Sequence, residues 1–459
     1  MMDFTEIERK YDDLIIDDKF KEIIDEIINT NHNMFITGSA GTGKSTILKI
    51  ISDSQFNRSD IILTATTGVA SANIYGVTMH SFFKLPIGII TEGETRVTIA
   101  RINSDYDKAI VIKNMDILVI DEVSMLKPYI LETVDTILKV IRQNHDKPFG
   151  GVQVLMFGDL FQIEPVVIKG SVEKEYLENE YGGNPFFFSS PIYEIGDFRL
   201  HELTKEYRQK DDPKFAEILT RLRTRETEDM LHDDIGYLNK RFVKESDFMS
   251  ENNFEGIVNI VTTNKKANSI NEMCLGVLEK TKKQDSYIFV AERSGKTEKQ
   301  SSFVEELKIL EGCQIMITQN DHSNHVYNGT IGEVVAVDVE NQLIIVLPEG
   351  RRIPVPVGLG RHDFFEYKYD KQEKKITKNV MGFIKQYPLK LAYAITAHKV
   401  QGLTLNKTIV DLGKGAFSCG QTYVALSRVR NLNDMALSVP LKESDFKINK
   451  HVKALLEGV

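Results

Sequence analysis

The chain has little cysteine: Cys274, Cys313 and Cys419 are the three in 459 residues, far apart and with no C-x-x-C pair. That argues against a disulfide framework or a zinc ribbon and fits a reducing, cytosolic setting. No apolar run approaches the length of a membrane span, so no membrane partner is expected. The opening stretch MMDFTEIERKYDD is acidic, unlike a secretory leader. Positive charge is not in excess either. A net charge of −9 argues against nonspecific coating of nucleic acid, yet leaves room for a local basic groove with stacking residues. There is no internal repeat and no low-complexity tract; the most biased stretch, Lys368 to Lys378, reads as a solvated hairpin end. Length and ordinary hydrophobicity predict two or three domains with real cores.

Against these absences stands one loop, Gly38-Ser39-Ala40-Gly41-Thr42-Gly43-Lys44-Ser45-Thr46. It fits G-x-x-x-x-G-K-[ST], follows the strand-like Met34-Phe35-Ile36-Thr37 and precedes a run with helical apolar spacing. Glycines let the backbone aim its N–H groups at phosphate oxygens, and the following helix offers the positive end of its dipole. Lys44 reaches the β- and γ-phosphates and the Ser45 hydroxyl completes a Mg²⁺ shell. Met115 to Ile120 then forms an apolar strand ending in Asp121-Glu122. Asp121 would hold Mg²⁺ through water, and Glu122 would orient and deprotonate the attacking water. A third strand, Val152 to Phe157, brings Gln162 to the same carboxyl edge of the sheet. There it either senses the γ-phosphate or serves as a structural hydrogen-bonder.

Between these elements Thr66, Gly68, His80 and Phe82 follow a buried-strand pattern, in a stretch that suits backbone-phosphate contact or a plain strand-to-helix turn. Asp212 and Pro213 start a helix, and the α/β pattern then restarts with strands at Ile257 to Val261 and Cys313 to Ile317. After the Asn328-Gly329 turn come Ile331 to Val337, Gln342 to Leu347 and Arg352 to Val357, a β-meander that reads as a small barrel or hairpin insertion. The expected fold class is α/β, with two α/β domains, the second without its own phosphate loop, and a small inserted β-barrel-like domain. The boundaries are 1–210 for the first domain (with a small wedge insertion at 85–110), 211–328 and 386–459 for the second, and 329–385 for the insertion.

Eight stretches in order carry a family resemblance: GSAGTGKST, TATTGVASANIYGVTMHSF, ILVIDEVSML, FGGVQVLMFGDLFQIEPV, LTKEYRQKDDPKFAEILTRLR, GCQIMITQN…VYNGTIGEVV, AYAITAHKVQGLTL and TYVALSRVR. Together they resemble a superfamily-one DNA helicase of group B, of the Pif type. That resemblance makes both α/β domains RecA-like P-loop domains. The resemblance implies ATP and Mg²⁺ as cofactors, with Gly38, Ala40, Gly41, Thr42, Gly43, Lys44, Ser45, Thr46, Gln401 and Gly402 toward the nucleotide. It makes Ser45 and Asp121 the metal partners, Lys44, Asp121 and Glu122 catalytic, Gln162 the γ-phosphate sensor, and Arg208 and Arg428 the arginines that reach the γ-phosphate across the domain cleft. Thr66, Gly68, His80, Phe82, Thr262 and His398 fall in motifs that line the single strand or couple it to the nucleotide. The implied protein is a monomer that moves 5′-to-3′ on single-stranded DNA and unwinds duplex, forked or structured DNA. Its setting is the cytoplasm for a bacterial or viral source and the nucleus for a eukaryotic one.

One departure stands out. The family's glutamine upstream of the phosphate loop, which reads the adenine edge, has no counterpart: no Gln precedes Gln55, and the region Asp17 to Lys21 carries Lys19 and Phe20. Weaker base selectivity, or readout by backbone groups, is therefore expected. Rival classes fare worse. A switch GTPase wants N-K-x-D, but Asn264-Lys265 is followed by Lys266-Ala267, and the L-S-G-G-Q of a transporter ATPase is absent. A decayed single-strand-binding module would have lost Lys44, Glu122 or Arg428. An RNA or RNA–DNA hybrid translocase of the same superfamily stays open.

Overall fold

The computed structural model describes residues 17–53, 60–224, 228–244, 256–296, 304–319, 321, 323–326, 328–370 and 375–457. The acidic opening stretch, and residues 371–374 within the biased stretch Lys368 to Lys378, lie outside them. By contacts the chain divides into two compact units, the first being 1–160, 164–207 and 364–381, the second 161–163, 208–363 and 382–459.

The first unit is built on short strands, of which the central ones are buried along nearly their whole length, the pattern of a parallel sheet covered on both faces. The strands are β1 (Met34–Gly38), β2 (Ile61–Ala65), β3 (Val77–Thr78), β4 (Ile117–Asp121), β5 (Gln153–Phe157) and β6 (Arg199–Leu203). They pair in the order β3-β2-β4-β5-β1-β6, parallel throughout. The helix Asp18–Asn29 is N-capped by Asp17 and buries Phe20, Ile23, Ile24 and Ile27. These pack with Met34, Ile36, Ile47, Leu48, Leu155 and Leu203 into one core. The helix Pro128–Arg142 buries a stripe that includes Ile130, Val134, Ile137, Leu138 and Ile141. Because all strands run the same way, the residues just after β1, β2, β4 and β5 share one edge, where open α/β sheets bind ligands.

The second unit holds a four-stranded parallel sheet, ordered Ala394–Thr396, Ile257–Val261, Lys407–Asp411, Met435–Leu437. The helices Pro213–Thr224 and Gln421–Leu426 contribute to its core. Beside it in the same unit is a five-stranded antiparallel sheet, ordered Val355–Gly358, Leu343–Pro348, Ile331–Asp338, Gln314–Ile317, Leu389–Leu391. This corrects one expectation. The Cys313 to Ile317 stretch belongs to the meander and not to the second parallel sheet. Its backbone groups are taken up on both sides by antiparallel neighbours, Ile331–Asp338 and Leu389–Leu391, which leaves no edge for the parallel sheet.

Candidate nucleotide-hydrolysis site

The phosphate loop lies where the sequence predicts, between β1 and the helix Lys44–Asp53. Gly38 must be glycine: a Cβ there would meet the Leu203 carbonyl oxygen at 2.5 Å and the Thr42 hydroxyl at 2.7 Å. The loop is braced from several sides. Thr42 Oγ1 donates to the Ser39 carbonyl (3.0 Å), and Ser39 Oγ donates to Glu206 Oε1 (2.6 Å). The Tyr207 amide donates to the Gly41 carbonyl (3.0 Å). Lys44 Nζ donates to the carbonyls of Gly38 (2.6 Å) and Ser39 (2.8 Å), folding over the cradle that its ammonium would share with an anion.

Asp121 closes β4 and its carboxylate Oδ1 accepts from the Glu122 amide (2.9 Å). Burial, and then the neighbouring Glu122 carboxylate, push the Asp121 carboxyl up to about 8, with Lys44 pulling the other way. Such a concentration of acid suits a divalent cation, which would relieve the charge. Among the described residues no cluster of three or more His, Cys, Asp or Glu side chains could cage a metal. The ligands expected from the sequence are one hydroxyl (Ser45) and one carboxylate (Asp121). That set fits Mg²⁺, which takes few protein ligands and completes its shell with water and substrate phosphate.

Glu122 sits at φ 54°, ψ 47°, a left-handed conformation that a non-glycine residue adopts at a cost of about 1 kcal/mol or more. Its carbonyl accepts from Thr66 Oγ1 (2.8 Å), and the Thr66 amide donates to the Asp121 carbonyl (3.2 Å). Thr66 therefore ties the end of β2 to the acidic turn. Gly68 opens the next short helix, whose N-cap is Thr67. His80 is half-buried, with burial and the nearby Lys127 lowering its pKa. Phe82 requires a correction. It is 1% exposed, edge-on to Phe83 and covered by the Lys108 ammonium, so its ring is not presented to a nucleic-acid base.

The remaining predicted residues belong to the second unit. Gln162 is buried, and its carbonyl lies where a Cβ on Gly420 would clash at 2.2 Å. Gly420, at φ 72°, leads directly into the Gln421–Leu426 helix of the final motif. Arg208 Nη1 donates to the Ser427 carbonyl (3.1 Å), and Gln209 Nε2 to the Val429 carbonyl (2.9 Å). The structure thus brings Gln162, Arg208 and the Arg428 segment together. Arg428 itself departs from the picture of a free finger. Fully buried, it donates through Nε to Val424 O (2.7 Å), through Nη1 to Val400 O and Leu403 O (both 3.2 Å), and through Nη2 to Ser427 Oγ (2.6 Å). Gln401 and Gly402 lie in the turn that it grips. The Thr262 carbonyl accepts from Gln421 Nε2 (3.5 Å), and the half-buried His398 ring stacks on Phe417, which is 60% exposed. Phe417, which carried no motif signal of its own, is the ring that His398 meets in the second unit.

A phosphate loop, a strand-end acid pair and parallel sheets in both units define the class: a P-loop nucleotide hydrolase with two RecA-like domains. Comparison with known proteins narrows it. The PIF1-like helicase model matches residues 16–230. The crystal structure of Bacteroides sp. Pif1 in complex with ADP-AlF4 is 32% identical, with a TM-score of 0.84 over 97% of both chains. Candida albicans Pif1 helicase is 26% identical, with a TM-score of 0.70 over 97% of this chain and 99% of that one. Among curated relatives, the ATP-dependent DNA helicase PIF6 of Trypanosoma brucei brucei is 30% identical over 90% of this chain, which spans 52% of its length. The ATP-dependent DNA helicase Pif1 of Bdellovibrio bacteriovorus is 28% identical over 90% of this chain and 85% of its own. This chain belongs to the Pif1-like helicase family.

Proposed function

We propose that the chain is an ATP-dependent DNA helicase that steps 5′-to-3′ along single-stranded DNA and unwinds duplex, forked or structured DNA. The observation that carries it is the assembly of Lys44, Ser45, Asp121 and Glu122 at one sheet edge in a member of this family. Ser45 and Asp121 hold Mg²⁺, and Glu122 takes the proton of the attacking water. Gln162, Arg208 and Arg428 serve the γ-phosphate, Arg428 only after giving up carbonyl bonds. Gln401 and Gly402 contribute to the nucleotide site. Thr66, Gly68, His80, Thr262 and His398 line or sense the strand. The proposed domains are 1–210, 211–328 with 386–459, and 329–385 as an accessory β element over the strand, with 85–110 as the wedge. Support for the DNA partner comes from Bacteroides Pif1, solved bound to ssDNA at 32% identity and a TM-score of 0.67. A related structure describes two coordinating Pif1 helicases at forked dsDNA, whereas we propose that this chain acts as a monomer.

Hydrolysis of ATP should rise on adding single-stranded DNA, and a 5′-tailed duplex should be unwound in preference to a 3′-tailed one. Unwinding from the 3′ tail alone would overturn the polarity. Metal binding should also depend on pH. With the Asp121 carboxyl near 8 before metal arrives, cation binding must displace a proton. Apparent Mg²⁺ affinity should therefore rise toward tenfold per unit as pH increases from about 6 to 8 and level off above. A flat titration of Mg²⁺ against pH, followed by nucleotide fluorescence, would show that Asp121 is ionised before the metal arrives.

A further inference from the structure

The base end of the nucleotide site can be located from the order of the sheet. On one side of β1, through β5, lies β4 with Asp121 and the metal end; on the other side lies β6. With the metal end of a triphosphate toward β4, as the proposed site has it, its ribose and base would lie toward the segment that follows β6. On that side Tyr207 is bonded through its amide to the Gly41 carbonyl (3.0 Å). Its hydroxyl donates to Asp17 Oδ2 (3.2 Å). The Phe20 ring fills the space over Gly43, 3.4 Å from where a Cβ would stand.

From this arrangement we infer that Asp17 is the base-selecting residue and that it favours nucleotides whose base edge carries N–H donors. The inference rests on the proposed hydrolysis site. As N-cap, Asp17 uses only Oδ1, which accepts from the Phe20 amide (2.9 Å). Oδ2 is turned to the loop side and held there by Tyr207, an orientation that capping does not require. A carboxylate has about four acceptor positions and, when ionised, no donor. Two positions are used by Phe20 and Tyr207, and the others can accept from a ligand. Adenine offers N6–H₂, cytosine N4–H₂, and guanine N1–H with N2–H₂. Uracil and thymine offer one N–H flanked by two carbonyl oxygens, which a carboxylate repels. In place of the weak selectivity expected from the missing glutamine, the chain discriminates by donor count.

Steady-state hydrolysis of ATP, GTP, CTP and UTP by the full chain tests this, with single-stranded DNA saturating. The wild type should use UTP with kcat/KM about tenfold or more below the other three. Asp17→Asn keeps the N-cap but adds a donor, and should bring UTP to within about threefold of ATP. Asp17→Ser also keeps the cap but withdraws the carboxylate from the base, and should level all four. Ratios unchanged in both variants, or a wild type that uses UTP as well as ATP, would overturn the assignment. Hydrolysis of none of the four would instead count against the hydrolysis site itself.

Discussion

Glu122→Gln should bind nucleotide as the wild type does and lose turnover by about 10²–10⁴-fold, the usual worth of a positioned general base. The substitution keeps the shape of the side chain and removes its basicity. The backbone conformation that presents it is held independently, by the bonds from Thr66 to the Glu122 carbonyl and from the Glu122 amide to Asp121. It should also weaken one of the causes that raise the Asp121 carboxyl, so metal binding should survive. Steady-state hydrolysis paired with binding of a fluorescent nucleotide separates the two effects. Normal turnover would remove Glu122 from the base role, and loss of binding would make it a structural residue of the acidic turn.

The phosphate half of this site was legible in the sequence because it is local. A five-residue buried strand, a glycine loop and a helix in direct succession leave little for tertiary context to change, and the same holds for the strand that ends in Asp121. What was not legible depends on partners far away in the chain. Asp17 and Tyr207 are 190 positions apart, and nothing at either position announces the other. The Cys313 to Ile317 stretch has the composition of a strand for either sheet, and only its neighbours decide which. Phe82 lies in a motif that suggested contact with a nucleic acid, yet Phe83 beside it and Lys108 over it leave its ring in the core. Periodicity reports that a side chain is buried, and a motif reports its chemical type. Neither reports which acceptors surround a guanidinium.

Arg428 is where that matters most. Replacing it with Ala should destabilise the second unit by about 3 kcal/mol or more, because the carbonyls of Val424, Val400 and Leu403 would lose buried donors inside a closed core. Arg428→Lys should recover little. A single ammonium cannot reproduce a planar fork that reaches the Val424 carbonyl, the Val400 and Leu403 carbonyls and the Ser427 hydroxyl at once. The residue joins the turn before Leu405 to the helix Gln421–Leu426, and Arg208 and Gln209 grip the carbonyls of Ser427 and Val429 on either side of it. A cation engaged in this way acts first as a brace, and reaching a γ-phosphate costs it those bonds. Thermal unfolding and hydrolysis, measured on the same variants, separate the two roles. A lowered unfolding midpoint accompanied by lost turnover fits the brace. An unchanged midpoint with hydrolysis alone abolished would establish Arg428 as a group that acts on the phosphate directly.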